Sequence, residues 1–145
     1  MDGYHLRGGC HCGALRIDIG LPRPPETYGP RACDCDFCRK HGAAYFSDPD
    51  GSLRVMVGDA RFLGRYRQGS GIAECLLCTN CGVLLGVAYR EDERLYAAIN
   101  YRVVEGGVVF GEAQPVSPKT LTANEKVRRW KALWFADVAL VGDSA

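Results

Sequence analysis

At 145 residues, with 47% hydrophobic and 24% charged side chains, the chain has the make-up of a globular domain rather than of a disordered or fibrous segment. Its formal net charge of +1 creates no strong field for nucleic acid or an anionic membrane surface. The longest apolar runs, "VLLGVAY" and "ALWFADVALVG", are too short to span a bilayer, so neither a nucleic-acid nor a membrane partner is expected.

The opening "MDGYHLRGG" lacks the apolar stretch of a secretory leader, and the expected compartment is the cytoplasm. "ALRIDIG" follows, alternating Leu15, Ile17 and Ile19 with Arg16 and Asp18, the period of a half-buried strand. The four prolines of "GLPRPPETYGPRA" deny both helix and central strand, so this segment reads as a surface loop leading to Cys33. After Cys38, "RKHG" predicts a single helical turn ended by Gly42. "DPDG" at 48–51 is a turn, and "LRVMV" beyond it alternates Leu53, Val55 and Val57 before Gly58-Asp59 breaks the chain. "IAECLLC", "VLLGVAY", "LYAAINY" and "VVF" are further strand-like runs. A helix signal comes late: Thr122 and Glu125 fit a capping box, with Val127, Trp130 and Trp134 spaced helically behind it. The pattern predicts one mainly β domain over residues 1–145, of many short strands with a short helix near the C-terminus.

Eight cysteines are the strongest chemical signal. A reducing compartment keeps thiols free, so they point to metal binding rather than to a disulfide framework. Cys10 and Cys12 sit in "CHCG", and Cys78 and Cys81 close "CLLCTNCG". A metal knuckle needs a tight turn that aims two thiolates the same way, and Gly13 and Gly82 supply the freedom for positive φ. These four cysteines predict a closed tetrahedral shell, the signature of a structural zinc. It would tie the N-terminal hairpin to the middle of the sheet.

"CDCDFC" differs. Cys33, Cys35 and Cys38 offer three ligands from one loop, and three thiolates on zinc leave a fourth position for water or substrate, as in catalytic sites. Arg39 and Lys40 follow directly and would offset thiolate charge. Two residues stand as alternatives that would close the site: His41, three after Cys38, and Cys75, the eighth cysteine. His11, between two inward ligands, is expected to face out, and His5 carries no signal. Tyr45 and Phe46 are candidate walls of a small pocket or core aromatics, and Arg102 is a candidate partner for a substrate carboxylate or a surface ion pair.

"GGCHCGALRIDI", "CDCDFCRKHGA", "CTNCGVLL" and "INYR" together resemble the glutathione-dependent formaldehyde-activating enzyme family, also called the centromere-protein-V type. The resemblance runs from about Gly8 to Arg102. It implies an Mss4-like fold, a zinc-tethered set of curled antiparallel sheets. It further implies a structural zinc on Cys10, Cys12, Cys78 and Cys81 and a second, catalytic zinc on Cys33, Cys35 and Cys38. The implied activity is of the carbon–sulfur lyase type, joining formaldehyde to the glutathione thiol to give S-(hydroxymethyl)glutathione, with a small thiol and a small aldehyde as partners. Cys75 lies outside the family pattern, and Leu77 stands where an aromatic often precedes the second knuckle.

Two other readings compete. A non-enzymatic zinc module that binds another protein would have its second site closed. A thiol–disulfide device would use Cys78-Thr79-Asn80-Cys81, but that motif belongs at the start of a helix after a strand, whereas strand-like runs flank it here.

Overall fold

Residues 3–67 and 71–142 are described by a computed structural model. In chain order the elements are β1 (Tyr4–Gly9), β2 (Leu15–Leu21), β3 (Arg31–Cys33), α1 (Asp36–His41), β4 (Tyr45–Phe46), β5 (Ser52–Val57) and β6 (Leu63–Tyr66). They continue as β7 (Glu74–Cys78), β8 (Leu84–Glu91), β9 (Arg94–Asn100), β10 (Gln114–Val116), α2 (Ala123–Leu133) and β11 (Asp137–Gly142). The expected mainly β fold is observed.

Alternation explains the smaller sheet, ordered β1-β2-β5-β11. Leu15, Ile17, Ile19 and Leu21 of β2 and Leu53, Val55 and Val57 of β5 are all buried on one face. Fully burying such a side chain contributes roughly 1.5–3 kcal/mol. A one-residue slip would turn the whole set to solvent, so this face sets the register. The larger sheet, ordered β10-β3-β4-β9-β8-β7-β6, supplies the opposing wall through Phe46, Leu76, Cys78, Leu85, Ala97 and Ile99.

The larger sheet is buried on its other face too. Tyr45, Cys75, Leu84, Tyr96 and Ala98 point away from the small sheet and pack with Cys38, Trp130 and Trp134. The layers are therefore small sheet, large sheet, helices. A register irregularity in the β7–β8 pairing falls between Leu76 and Leu77, just before the second cysteine pair.

The helices follow their local signals. Gly42 adopts φ 62° and ends α1, which extends back to Asp36 with Cys35 as its N-cap. Thr122 caps α2, and its side chain and that of Glu125 exchange the two hydrogen bonds of a capping box.

Other expectations need revision. The "VVF" run at 108–110 forms no strand: Gly106 and Gly107 take positive φ before it, and Val109 is 71% exposed. Phe110 instead packs its ring, tilted, against Phe46 from a loop, with ring centroids 4.7 Å apart. The segment "ALWFADVALVG" divides three ways. Its first residues end α2, Phe135 pairs with Ala97, and Asp137–Gly142 form β11. Two edge pairings, β10–β3 and β11–β5, are parallel in otherwise antiparallel sheets. Short strands β3, β4 and β10 carry too few residues to show a period, and Pro115 is tolerated because β10 is an edge. No helix among the described residues is long and apolar enough to cross a membrane.

Candidate metal centres and the adjoining cavity

The first cysteine set lies where the two sheets meet. Cys10 and Cys12 occupy the turn between β1 and β2, and Cys78 and Cys81 end β7 and start the turn after it. Both turns need left-handed backbone where the sequence supplies glycine: Gly13 has φ 84° and Gly82 φ 81°. The Gly13 amide donates to the Cys10 carbonyl at 3.3 Å and the Gly82 amide to the Cys78 carbonyl at 2.8 Å.

The four sulfurs lie within 4.8 Å of one another. Cys12 Sγ is 3.7 Å from Cys10 Sγ and 3.6 Å from Cys78 Sγ. A tetrahedral zinc with Zn–S bonds of about 2.3 Å places its sulfurs about 3.8 Å apart, so the donor set fits that ion. Amide donors support it: the Leu15 N–H reaches Cys10 Sγ at 3.3 Å and the Cys81 N–H reaches Cys78 Sγ at 3.4 Å. A hydrogen bond from the Asn80 side chain, then one from the Ala14 backbone, hold the Cys12 thiol below its usual range. At Cys81 burial opposes ionisation, yet backbone donors from Cys12 and Val83 bring the thiol down to about 6. Burial pushes Cys78 up to about 11. This pair of sheets is joined at β7, second from the edge of the large sheet rather than at its middle.

The second set lies on the opposite face of the large sheet. Cys33 ends β3, Cys35 caps α1, and Cys38 is buried in its first turn. Their three sulfurs also lie within 4.8 Å of one another. A hydrogen bond from Cys38 is the main reason the Cys33 thiol drops to about 6, and the same interaction, with burial, pushes Cys38 up. The Tyr45 hydroxyl stands 3.2 Å from Cys38 Sγ, and burial raises its pKa.

Neither candidate closing residue joins this set within the same distance. His41 is exposed and stacks on Phe37 with centroids 4.6 Å apart. Cys75 comes nearer, because residues three apart on a strand point to opposite faces. Cys78 therefore faces the small sheet, whereas Cys75 faces the three-cysteine loop. Burial, followed by the charges at Cys35 and Cys33, pushes Cys75 up to about 11.

The three cysteines and Cys75 line a cavity of about 170 Å³. Tyr45, Val87, Trp130 and Trp134 give it apolar walls, and the two indoles stack with centroids 5.0 Å apart. Arg31, Lys119, Lys126 and Arg129 also line it, and among the described residues no acidic one does. Arg31 donates to Ser47 Oγ at 2.6 Å, and Ser47 donates to the Leu133 carbonyl at 2.7 Å, which ties β3 to the end of α2. Burial, reinforced by repulsion from Arg129, lowers the Arg31 pKa to about 10. Asp34 anchors the cysteine loop from outside, accepting a hydrogen bond from Ser117 and facing Lys119 at 3.8 Å.

Several expectations change here. Tyr45 walls the cavity, whereas Phe46 belongs to the core between the sheets. Arg102 lies over the Tyr101 ring at 5.0 Å and is not a lining residue. His11 is exposed, as expected, and His5 is exposed too. Arg129 of α2 turns toward the cavity. Lys126, Arg129 and Trp130 stand at i, i+3 and i+4, so their shared helix face was legible from spacing. Arg31 lies two residues before Cys33 on one strand and shares its face for the same kind of reason.

Comparison with known proteins agrees with these features. The family described as glutathione-dependent formaldehyde-activating enzyme matches residues 5–120. An uncharacterised lyase of Schizosaccharomyces pombe is 27% identical over 89 residues, which span 61% of this chain and 61% of that protein. A crystal structure of a Rhodobacter sphaeroides protein, 31% identical, superposes with a TM-score of 0.54 over 72% of this chain and 98% of its own. With a match across most of its length and both cysteine sets in place, the chain belongs to the glutathione-dependent formaldehyde-activating enzyme family.

Proposed function

We propose that the chain is a single-domain, cytoplasmic, zinc-dependent enzyme of the carbon–sulfur lyase type. In this reading it joins a small aldehyde such as formaldehyde to a thiol such as glutathione. The observation that carries the proposal is the second cysteine set. Three sulfurs within 4.8 Å of one another, with no fourth ligand among the described residues, line one wall of a cavity. Cys10, Cys12, Cys78 and Cys81 would hold a structural zinc, and Cys33, Cys35 and Cys38 a catalytic one.

Zinc on three thiolates supplies a Lewis-acid position that favours the thiolate form of a bound thiol or polarises an aldehyde oxygen. The protein supplies the surroundings. Val87, Trp130 and Trp134 keep water from the reactants, which strengthens each electrostatic contact there. The Tyr45 hydroxyl fixes Cys38, and Asp34 holds the loop against Ser117. Confinement brings sulfur and carbonyl carbon together. The reaction forms one C–S bond at the expense of the carbonyl π bond, and the thiol proton ends on the former carbonyl oxygen. No oxidant or reductant is needed.

The test compares Cys35→Ala with the parent for zinc content per chain and for hemithioacetal formation above the uncatalysed rate. Glutathione with formaldehyde comes first, then other small thiols and aldehydes. Expected are one fewer zinc, a preserved fold and no catalysis. Activity equal to the parent with every pair would refute the assignment. Unfolding of the variant would favour a non-enzymatic zinc module that binds another protein.

A further inference from the structure

Four basic side chains, Arg31, Lys119, Lys126 and Arg129, line the cavity, and among the described residues no carboxylate does. Arg31, Lys126 and Arg129 are half-buried, and among the described residues none of the three has a carboxylate within ion-pair distance. Among the described residues Arg31 has only the neutral Ser47 hydroxyl as a side-chain hydrogen-bond partner, and Lys119, more exposed, faces Asp34 across 3.8 Å. Arg31 and Arg129 line the same cavity, and two like charges at one partly desolvated site raise the energy of the empty protein. An anion entering between them would relieve that repulsion and gain charge-assisted hydrogen bonds. Two guanidinium forks present planar donor pairs that match a carboxylate.

We propose that Arg31 and Arg129 are the specificity-determining residues of this site: they clamp a carboxylate of the thiol substrate while its sulfur reaches the three-cysteine wall. The inference rests on reading the cavity as a thiol site. Both ends of such a substrate are accommodated in one cavity, because Arg31 precedes Cys33 on β3 and Arg129 sits on α2 across from it. The Arg31–Ser47–Leu133 hydrogen bonds hold β3 and the end of α2 together, which keeps the two guanidinium groups on the same opening. Arg129, Trp130 and Trp134 lie beyond residues 5–120, the part of the chain that matches the family.

The chain's only two tryptophans, Trp130 and Trp134, line the cavity and report on its occupancy. Fluorescence titrations of the zinc-loaded full chain would use 3-mercaptopropionate, neutral 2-mercaptoethanol and cationic cysteamine, without aldehyde. The parent should bind 3-mercaptopropionate about tenfold or more tightly than 2-mercaptoethanol. Arg129→Gln should erase that preference and leave 2-mercaptoethanol unchanged, and Arg129→Glu should shift it toward cysteamine. Arg31→Gln should act like Arg129→Gln, with thermal melting used to establish that it folds. Equal binding of the three thiols by the parent would overturn the clamp. So would an equal weakening of the acidic and neutral thiols in R129Q, which would mean that the arginines only offset thiolate charge. Inorganic phosphate displacing 3-mercaptopropionate more readily than acetate, at matched ionic strength, would overturn the carboxylate assignment. Because binding is read without aldehyde, a carboxylate preference in a protein lacking thiol–aldehyde activity would sink the proposed reaction and leave the clamp standing.

Discussion

The two cysteine sets use the same side chain for different mechanical purposes. Cys12 and Cys78 are 66 positions apart in sequence, yet their sulfurs are 3.6 Å apart. Cys33, Cys35 and Cys38 come from six consecutive residues that form a strand end and one helical turn. Each doubling of enclosed chain adds only about 0.6 kcal/mol of closure entropy, so length alone separates the sets by about 2 kcal/mol. The larger difference lies in what each set joins. The outer set connects two sheets whose packed faces form the main core, whereas the loop set connects a loop to itself beside a cavity. Closure by distant ligands makes metal binding part of folding; closure by near neighbours leaves the fold to other contacts.

That contrast is broken or sharpened first by paired substitutions. Cys12→Ala should abolish cooperative thermal unfolding or leave the protein insoluble, and a chelator strong enough to strip zinc should do the same to the parent. Cys35→Ala should melt within a few degrees of the parent. If the two variants melt alike, the mechanical distinction fails, because the second set is then as structural as the first.

Trp130→Ala probes what holds the cavity side together in place of a long-range metal. Trp130 is 9% exposed and stacks between Trp134 and Tyr89, with centroids at 5.0 and 5.3 Å. Truncating a buried Trp costs roughly 3–5 kcal/mol, to be read as a fall in the midpoint of urea unfolding. A parent-like midpoint would place the stability of this face elsewhere.

Smaller effects test the supports of the loop set. Tyr45→Phe keeps the ring and removes the hydroxyl 3.2 Å from Cys38 Sγ. A hydrogen-bond partner of a metal ligand typically changes metal affinity by about 10–100-fold, measurable by chelator competition on zinc-loaded protein. An unchanged affinity would detach Tyr45 from the site. Thr122→Ala should cost about 1 kcal/mol through loss of the helix cap, with the cysteine sets unaffected.

Local and periodic features were legible in the residues alone. The alternation of β2 and β5, the glycines after Cys12 and Cys81, the turn ended by Gly42 and the cap at Thr122 each depend on interactions within a few positions. The partition of seven cysteines into two sets was also readable, since ligand spacing is a local constraint. Tertiary packing alone decided which side chains face one another across the cavity. Arg31, Arg129 and Trp134 meet the cysteine wall because the large sheet is covered on both faces, a fact that no single strand records. Tyr45 became a cavity wall and its neighbour Phe46 a core residue because adjacent strand residues point to opposite faces. Cys75 followed the same rule relative to Cys78, but its destination depended on which layer lay over each face. The short strands β3, β4 and β10 exist only through pairing with their neighbours, because two or three residues have no preference strong enough to form a strand without a partner to hydrogen-bond.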